Sequence, residues 1–229
     1  MIRKQISITL FICILLFIGS YSFPSNWFKT FGVDGMSWAK DTTVINDGGI
    51  IVVGFSRKVG SLYSDIWILK LTEKGDVVWE KTYGGEKTDW AESVVSTSDG
   101  GFIIAGRYKS SEFNDDFLVM KLDKDGSLLW HKLYGGASSE YATSIINTKD
   151  GGFIVAGKTY SFGAGGYDAL IIKLKSDGEI EWQRSYGREW LDEIYSIKQT
   201  EDGGYIALGA IGTGYYLHSS NLWVLKLRP

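Results

Sequence analysis

Three carboxylates and a guanidinium fall within six residues near the end of the chain: Arg188, Glu189, Asp192 and Glu193. An acid pair beside a cation is what a hydrolase or lyase uses, one carboxyl donating a proton while the other supports developing charge. No nucleophile with a matching base can be assembled around them, so they read better as an irregular structural seam. Asp47, Asp99, Asp150 and Asp202 suggest a ring of carboxylates, but each is followed by two glycines. In such a tight turn the Asp side chain accepts from backbone amides. Asp123-Lys124-Asp125-Gly126 resembles the start of a calcium loop without its distant Glu. Thr72-Glu73-Lys74-Gly75 and Lys175-Ser176-Asp177-Gly178 occupy the same place elsewhere, and hairpin turns account for all three. His131 and His218 have no second His or Cys near them in sequence, and Cys13 is the only cysteine. The sequence therefore gives no catalytic residue, no cofactor and no metal site.

Binding chemistry is better represented. The aromatic residues Tyr63, Phe113, Tyr160, Phe162, Tyr167, Tyr215 and Tyr216 crowd into segments rich in small residues, and Trp190 replaces a Gly-rich turn. Rigid aromatics on loops supply contact area with few rotors to freeze. Tyr167, Trp190, Tyr215 and Tyr216 are the candidate ligand-binding residues. Asp65, Asp116, Asp168 and Asn221, with Asp89, Glu140 and Asp192, border these segments. Because they recur so regularly, they read as ties between loops more than as reacting groups.

The elements that must position these residues follow from a repeat. The Asp-Gly-Gly triplets lie 52, 51 and 52 residues apart. Twenty residues before each Asp stands a tryptophan, Trp27, Trp79, Trp130 or Trp182, and seven after it a glycine, Gly54, Gly106, Gly157 or Gly209. Apolar runs of four to eight residues bounded by glycines are strands. Each period holds four of them, which is a β-propeller blade. In an up-and-down blade the aromatic second-to-third-strand loops share one face with the carboxylates, and the short turns share the other. The fourth unit stops after its third strand, while Asn26 to Gly32 matches the tryptophan strand Val78 to Gly84. The expected fold is thus all-β: a propeller with four blades of four antiparallel strands, closed by the N-terminal strand completing the last blade. A monomer is expected, with head-to-tail strand exchange into a dimer as the alternative.

Residues 1–22 begin with Arg3 and Lys4, continue through an apolar run from Ile6 to Ile18 and end in small residues. That is the layout of a signal peptide, too short to make a comfortable membrane span, and it places the domain, residues 23–229, in a secreted, periplasmic or cell-surface setting. Without that segment 22 Lys and Arg face 27 Asp and Glu, roughly −5 in formal charge. This is the wrong sign for a phosphate backbone, so nucleic acid is not the expected partner.

The strings Asp150-Gly151-Gly152-Phe153-Ile154-Val155-Ala156-Gly157, Ser161 to Asp168 and Trp79-Glu80-Lys81-Thr82-Tyr83-Gly84-Gly85 resemble the secreted β-propeller repeats of bacterial and archaeal surface proteins. The likeness covers residues 26 to 227. The spacing Gly-x-x-x-Trp at Gly75, Gly126 and Gly178 is similar, more loosely, to the tryptophan-docking propellers of quinoproteins. That second likeness implies tryptophans packed blade on blade, and no cofactor. Two function classes stay open: a binding or scaffold module for a protein or glycan, and an extracytoplasmic hydrolase or lyase acting on polysaccharide through the acids of the fourth unit.

Overall fold

A computed structural model describes residues 26–214 and 219–229. The expected signal peptide, Tyr215, Tyr216 and His218 lie outside the described residues. The chain divides into a unit of residues 1–30 and a unit of residues 31–229. In the first, residues 26–30 carry no strand; the second holds every strand described.

Four antiparallel meanders make up the second unit. The first sheet is β1 (Gly35–Val44), β2 (Ile50–Lys58), β3 (Asp65–Leu71) and β4 (Val77–Tyr83); the second is β5 (Trp90–Ser96), β6 (Phe102–Tyr108), β7 (Asp116–Leu122) and β8 (Leu128–Tyr134). The third is β9 (Glu140–Asn147), β10 (Phe153–Thr159), β11 (Asp168–Leu174) and β12 (Ile180–Tyr186). The fourth has three strands: β13 (Glu193–Gln199), β14 (Tyr205–Gly212) and β15 (Ser220–Leu227). Four strands per blade is therefore correct for three sheets and not for the last. Asn26 to Gly32 forms no strand, β15 pairs with β14 alone, and Phe31 packs on Trp67, Leu69 and Leu71 of the first sheet.

Strand alternation explains how the sheets stack. On β7, Phe117 and Val119 face the third sheet while Leu118, Met120 and Leu122 face the first. Each central sheet is thus apolar on both faces, and the inner strands β1, β5, β9 and β13 lie side by side in series. No comparable packing joins the fourth sheet to the first among the described residues. Sheet-to-sheet contact is reinforced by tryptophan docking. A Cβ added to Gly126 would fall 2.8 Å from the Trp79 ring, and one on Gly178 would fall 2.9 Å from Trp130. Tyr134 Oη donates to the Gly178 carbonyl at 2.6 Å. The bare hairpin glycine is what lets the ring of the preceding blade lie flat on the turn.

The Asp-Gly-Gly turns are capped as their chemistry dictates. Asp47, Asp99, Asp150 and Asp202 accept from Gly49, Gly101, Gly152 and Gly204 at 2.8 to 3.1 Å. Each carboxylate also pairs with the lysine of the third strand, Lys70, Lys121, Lys173 or Lys226. These bonds hold all four carboxyls below the usual range, Asp99 and Asp150 at about 2. Asp123 caps its hairpin in the same manner, accepting from Asp125 at 2.9 Å and Ser127 at 2.7 Å.

The glycine seven residues after each triplet is what shapes the interior. Opposite it the first strand of every sheet bulges, with Lys40, Glu92, Thr143 or Tyr195 as the extra residue. The bulge thrusts the carbonyl of Trp38, Trp90, Tyr141 or Glu193 to within 1.9 to 2.0 Å of where a Cβ on Gly54, Gly106, Gly157 or Gly209 would sit. Only glycine fits there, and the bulge re-aims the side chains on either side of it.

Candidate functional site

The four bulges bring together side chains from four sheets where the inner strands begin. Trp38 stacks on Phe55 at 6.2 Å, and Phe55 on Trp90 at 4.5 Å. The Arg107 guanidinium lies 3.5 Å from the centre of the Trp90 ring and 5.5 Å from that of Tyr141. Lys158 Nζ follows, 5.7 Å from Tyr141 and 4.3 Å from Tyr167. The result is a ladder that begins as three stacked rings from the first sheet into the second and continues as alternating cations and rings into the third. Cations gain from ring faces most where water is scarce. Phe55, Arg107 and Lys158 occupy equivalent positions, each directly after its bulge glycine.

A cavity of about 390 Å³ opens on this ladder, lined by Trp90, Glu92, Arg107, Tyr141, Lys158 and Tyr160 among others. Beside it a smaller one of about 110 Å³ is lined by Tyr167, Glu193 and Tyr195. The carboxylates here are ion-paired. Glu92 lies 3.1 Å from Lys40. Glu193 accepts from Lys158 at 2.7 Å and from the Tyr195 hydroxyl at 2.8 Å. Burial and the charge on Glu193 push the Tyr167 hydroxyl up to about 12, and burial with the Glu193 hydrogen bond does the same for Tyr195. Both phenols stay protonated donors at neutral pH. Arg107 differs from its neighbours. Among the described residues no carboxylate pairs with it, and its buried Nε has no acceptor; the buried Trp90 Nε1 has none either. Buried donors without acceptors are rare and costly.

The bordering carboxylates act as ties. Asp89 accepts from the Gly85 and Lys109 amides, Glu140 from Gly136 N and the Thr159 hydroxyl, and Asp192 from Arg188 N and Gly212 N. The backbone amides of the same three residues reach back to Ser64, Asp115 and Tyr167 carbonyls at 2.7 to 2.8 Å. The two loop types thus share one face. Burial raises the carboxyls of Asp89 and Asp168, and of Asp65.

Of the four residues expected to bind ligand, Tyr167 belongs to the ladder. Trp190 is half-buried at the seam between loops, its backbone against Gly166 and its Cβ against Gly212. Tyr215 and Tyr216 are outside the described residues. The acid group of the fourth unit separates, since Asp192 is buried in loop ties and Glu193 pairs with Lys158, not Arg188. Trp90, Arg107, Tyr141 and Lys158 are site residues that sequence reasoning passed over. The available signal was a long cation after Gly106 and Gly157, where the first unit has Phe55. Among the described residues no group of three or more His, Cys, Asp or Glu is placed to hold a metal ion.

No family model and no curated protein sequence matches the chain. Among solved structures it is similar to a Bifidobacterium bifidum protein assigned as an exo-β-1,3-galactanase, at 10% identity and a TM-score of 0.47. That match covers 81% of this chain and 65% of the other, so the chain spans a little under two thirds of that protein's length. An exo-1,5-α-L-arabinanase from a bovine ruminal metagenomic library is similar at 16% identity and a TM-score of 0.42, covering 82% of this chain and 73% of that one.

Proposed function

We propose that the chain is an exported binding module that takes a glycan on the long-loop face, at the ladder of Trp90, Arg107, Tyr141 and Lys158. The observation that carries this reading is the cavity of about 390 Å³ into which that ladder opens. Its size and its mix of ring surface with a few fixed polar groups are those of a small-ligand site. Hydrolysis fits less well. Glu92 is engaged by Lys40, and Glu193 by Lys158 and the Tyr195 hydroxyl, so the carboxylates beside the cavity are already committed to partners within the protein. A glycan array probed with residues 23–229 tests the reading. Capture should fall at least tenfold in Tyr141→Ala and stay unchanged in the turn-face variants Lys74→Ala and Lys124→Ala. The opposite pattern would put binding on the wrong face, and release of reducing ends by the unaltered protein would replace binding with hydrolysis.

We also propose that the ring closes on the fourth sheet, with Asn26 to Gly32 as the strand for the free edge of β15. The support is register. Ile66, Phe117 and Ala169 are wholly buried by the next sheet, yet their counterpart Leu222 is 77% exposed; Val224, counterpart of Ile68, Val119 and Ile171, is 55% exposed. These are interface side chains at a bare interface. The paired substitution Leu222→Ser and Val224→Thr separates the cases. In a closed ring it costs as much as core polar substitutions do, several kcal/mol, and in an open stack it stays within about 1 kcal/mol.

A further inference from the structure

We infer that the ligand taken at the ladder carries a carboxylate, and that it is an acidic saccharide, a uronate residue, gripped by Arg107. The inference rests on the binding reading above and narrows it. Lys158, the other cation of the ladder, and Lys40, whose Nζ lies 5.8 Å from the centre of the Trp90 ring, have carboxylate partners in Glu193 and Glu92. Arg107 has none among the described residues, and stacking on Trp90 at 3.5 Å fixes its plane. A planar guanidinium held in place, with its forked donors uncommitted, is matched by a carboxylate, which accepts two parallel hydrogen bonds. Two further features choose the body that bears that carboxylate. Glu92 lines the same cavity as an acceptor, and Tyr160 lines it with a hydroxyl. A ligand serving both ends must present an anion and O–H donors on one compact frame. A uronate does so, whereas the side chain of an acidic peptide brings the anion alone. Tyr141 and Tyr160, whose planes lie at 78° to each other, both line the cavity and supply ring surface for the C–H face of a pyranose.

The test is titration calorimetry on residues 23–229 with galacturonate, glucuronate and mannuronate tetramers. Neutral tetramers of galactose, glucose and mannose and a tetraglutamate peptide form the comparison arms. At least one uronate tetramer should bind at least tenfold more tightly than its neutral counterpart and than the peptide. Arg107→Gln should lose roughly tenfold to a hundredfold of that affinity, the worth of a charge-assisted hydrogen bond. Arg107→Lys keeps the charge without the fork and should recover only part of it, which also covers the case in which Arg107→Gln fails to fold. Lys124→Gln, on the turn face, should bind as the unaltered protein does. Equal binding of uronate and neutral tetramers would overturn the acidic-saccharide assignment and leave glycan binding standing. Preference for tetraglutamate would move the site to acidic peptides. Failure of every tetramer and the peptide to bind would overturn both this inference and the reading beneath it.

Discussion

Replacing Gly106 with alanine tests whether the bulges are what builds the site. The added Cβ would sit 2.0 Å from the Trp90 carbonyl oxygen and 2.9 Å from the Ala91 Cα. Both are backbone atoms and cannot swing aside as a side-chain tip would. Relief requires β5 to straighten, which removes Glu92 from its extra position and shifts Trp90 beneath Arg107. Overpacking of a well-filled interior costs about 1 to 3 kcal/mol, and an unyielding backbone contact belongs at the upper end. Straightening also disturbs the Ser93 hydroxyl bond to Asp41 at 3.0 Å, worth about 1 kcal/mol. The sum is about 3 to 4 kcal/mol. A domain of this size loses roughly 2 to 4 °C per kcal/mol, so the melting temperature should fall by roughly 6 to 16 °C. Such a protein still folds if its stability lies anywhere but the bottom of the usual range of about 5 to 15 kcal/mol. Gly85→Ala is the control, since its Cβ would meet only Tyr108 Oη at 3.7 Å, an ordinary contact. Melting followed by circular dichroism compares the two. Should Gly106→Ala melt within about 2 °C of the unaltered protein, the steric account of the bulge is wrong.

Stability should respond to acid in two stages, read from urea midpoints between pH 7 and 2. The carboxyls of Asp65, Asp89 and Asp168 are raised by burial, so protonating them as pH falls toward 4 relieves a cost and stability should hold or rise slightly. The turn carboxyls are depressed, Asp99 and Asp150 to about 2, so their contribution is whole above the unfolded value near 3.8 and is lost as pH falls through the folded one. A double Asp99→Asn and Asp150→Asn variant should flatten the limb between pH 4 and 2, and an unchanged limb would assign acid unfolding to other groups. Tyr134→Phe strands the Gly178 carbonyl that accepts at 2.6 Å in the interior, and its urea midpoint should drop by the equivalent of about 1 to 2 kcal/mol. A midpoint equal to that of the unaltered protein would mean water replaces the phenol without loss.

The architecture is legible in the sequence because it is written in local chemistry repeated at a fixed interval. Asp before two glycines caps its own turn, and glycine four residues before tryptophan clears room for a ring. Neither depends on distant partners, so spacing alone finds strand and turn. Three of the four third strands run as the spacing implies, Asp65–Leu71, Asp116–Leu122 and Asp168–Leu174, and β15 begins one residue earlier than Asn221. What spacing does not carry is the state of the last blade. A stretch that looks like a strand becomes one only when an edge accepts it, and Asn26 to Gly32 reads as a strand by its match to Val78 to Gly84 while forming none among the described residues.

The site was harder to read for a reason that lies in the bulge. Alternation assigns every second strand residue to one face, and by that rule nothing marks Glu92, Thr143 and Arg107 as converging. One inserted residue breaks that parity where β5 and β9 bend, and it brings Glu92, Thr143, Arg107 and Lys158 to the same cavity. The glycines that permit the insertion are visible in sequence, but as punctuation at the end of apolar runs, and nothing in a single run says that a neighbouring carbonyl fills the missing Cβ. Loop aromatics are legible because ring type is a local property, and of those described Tyr160 and Tyr167 reach the ladder, whereas the backbone and Cβ of Trp190 lie at the seam between loops. The cavity is therefore lined both by residues next to the bulge glycines, Arg107 and Lys158, and by aromatics from elsewhere, Trp90, Tyr141 and Tyr160. The same logic separates the four units. Phe55, Arg107, Lys158 and Ala210 share one structural position on four equivalent strands. The repeated backbone thus places a ring, two cations and a methyl group at equivalent points, and of the two cations Lys158 pairs with Glu193 while Arg107 has no carboxylate partner among the described residues.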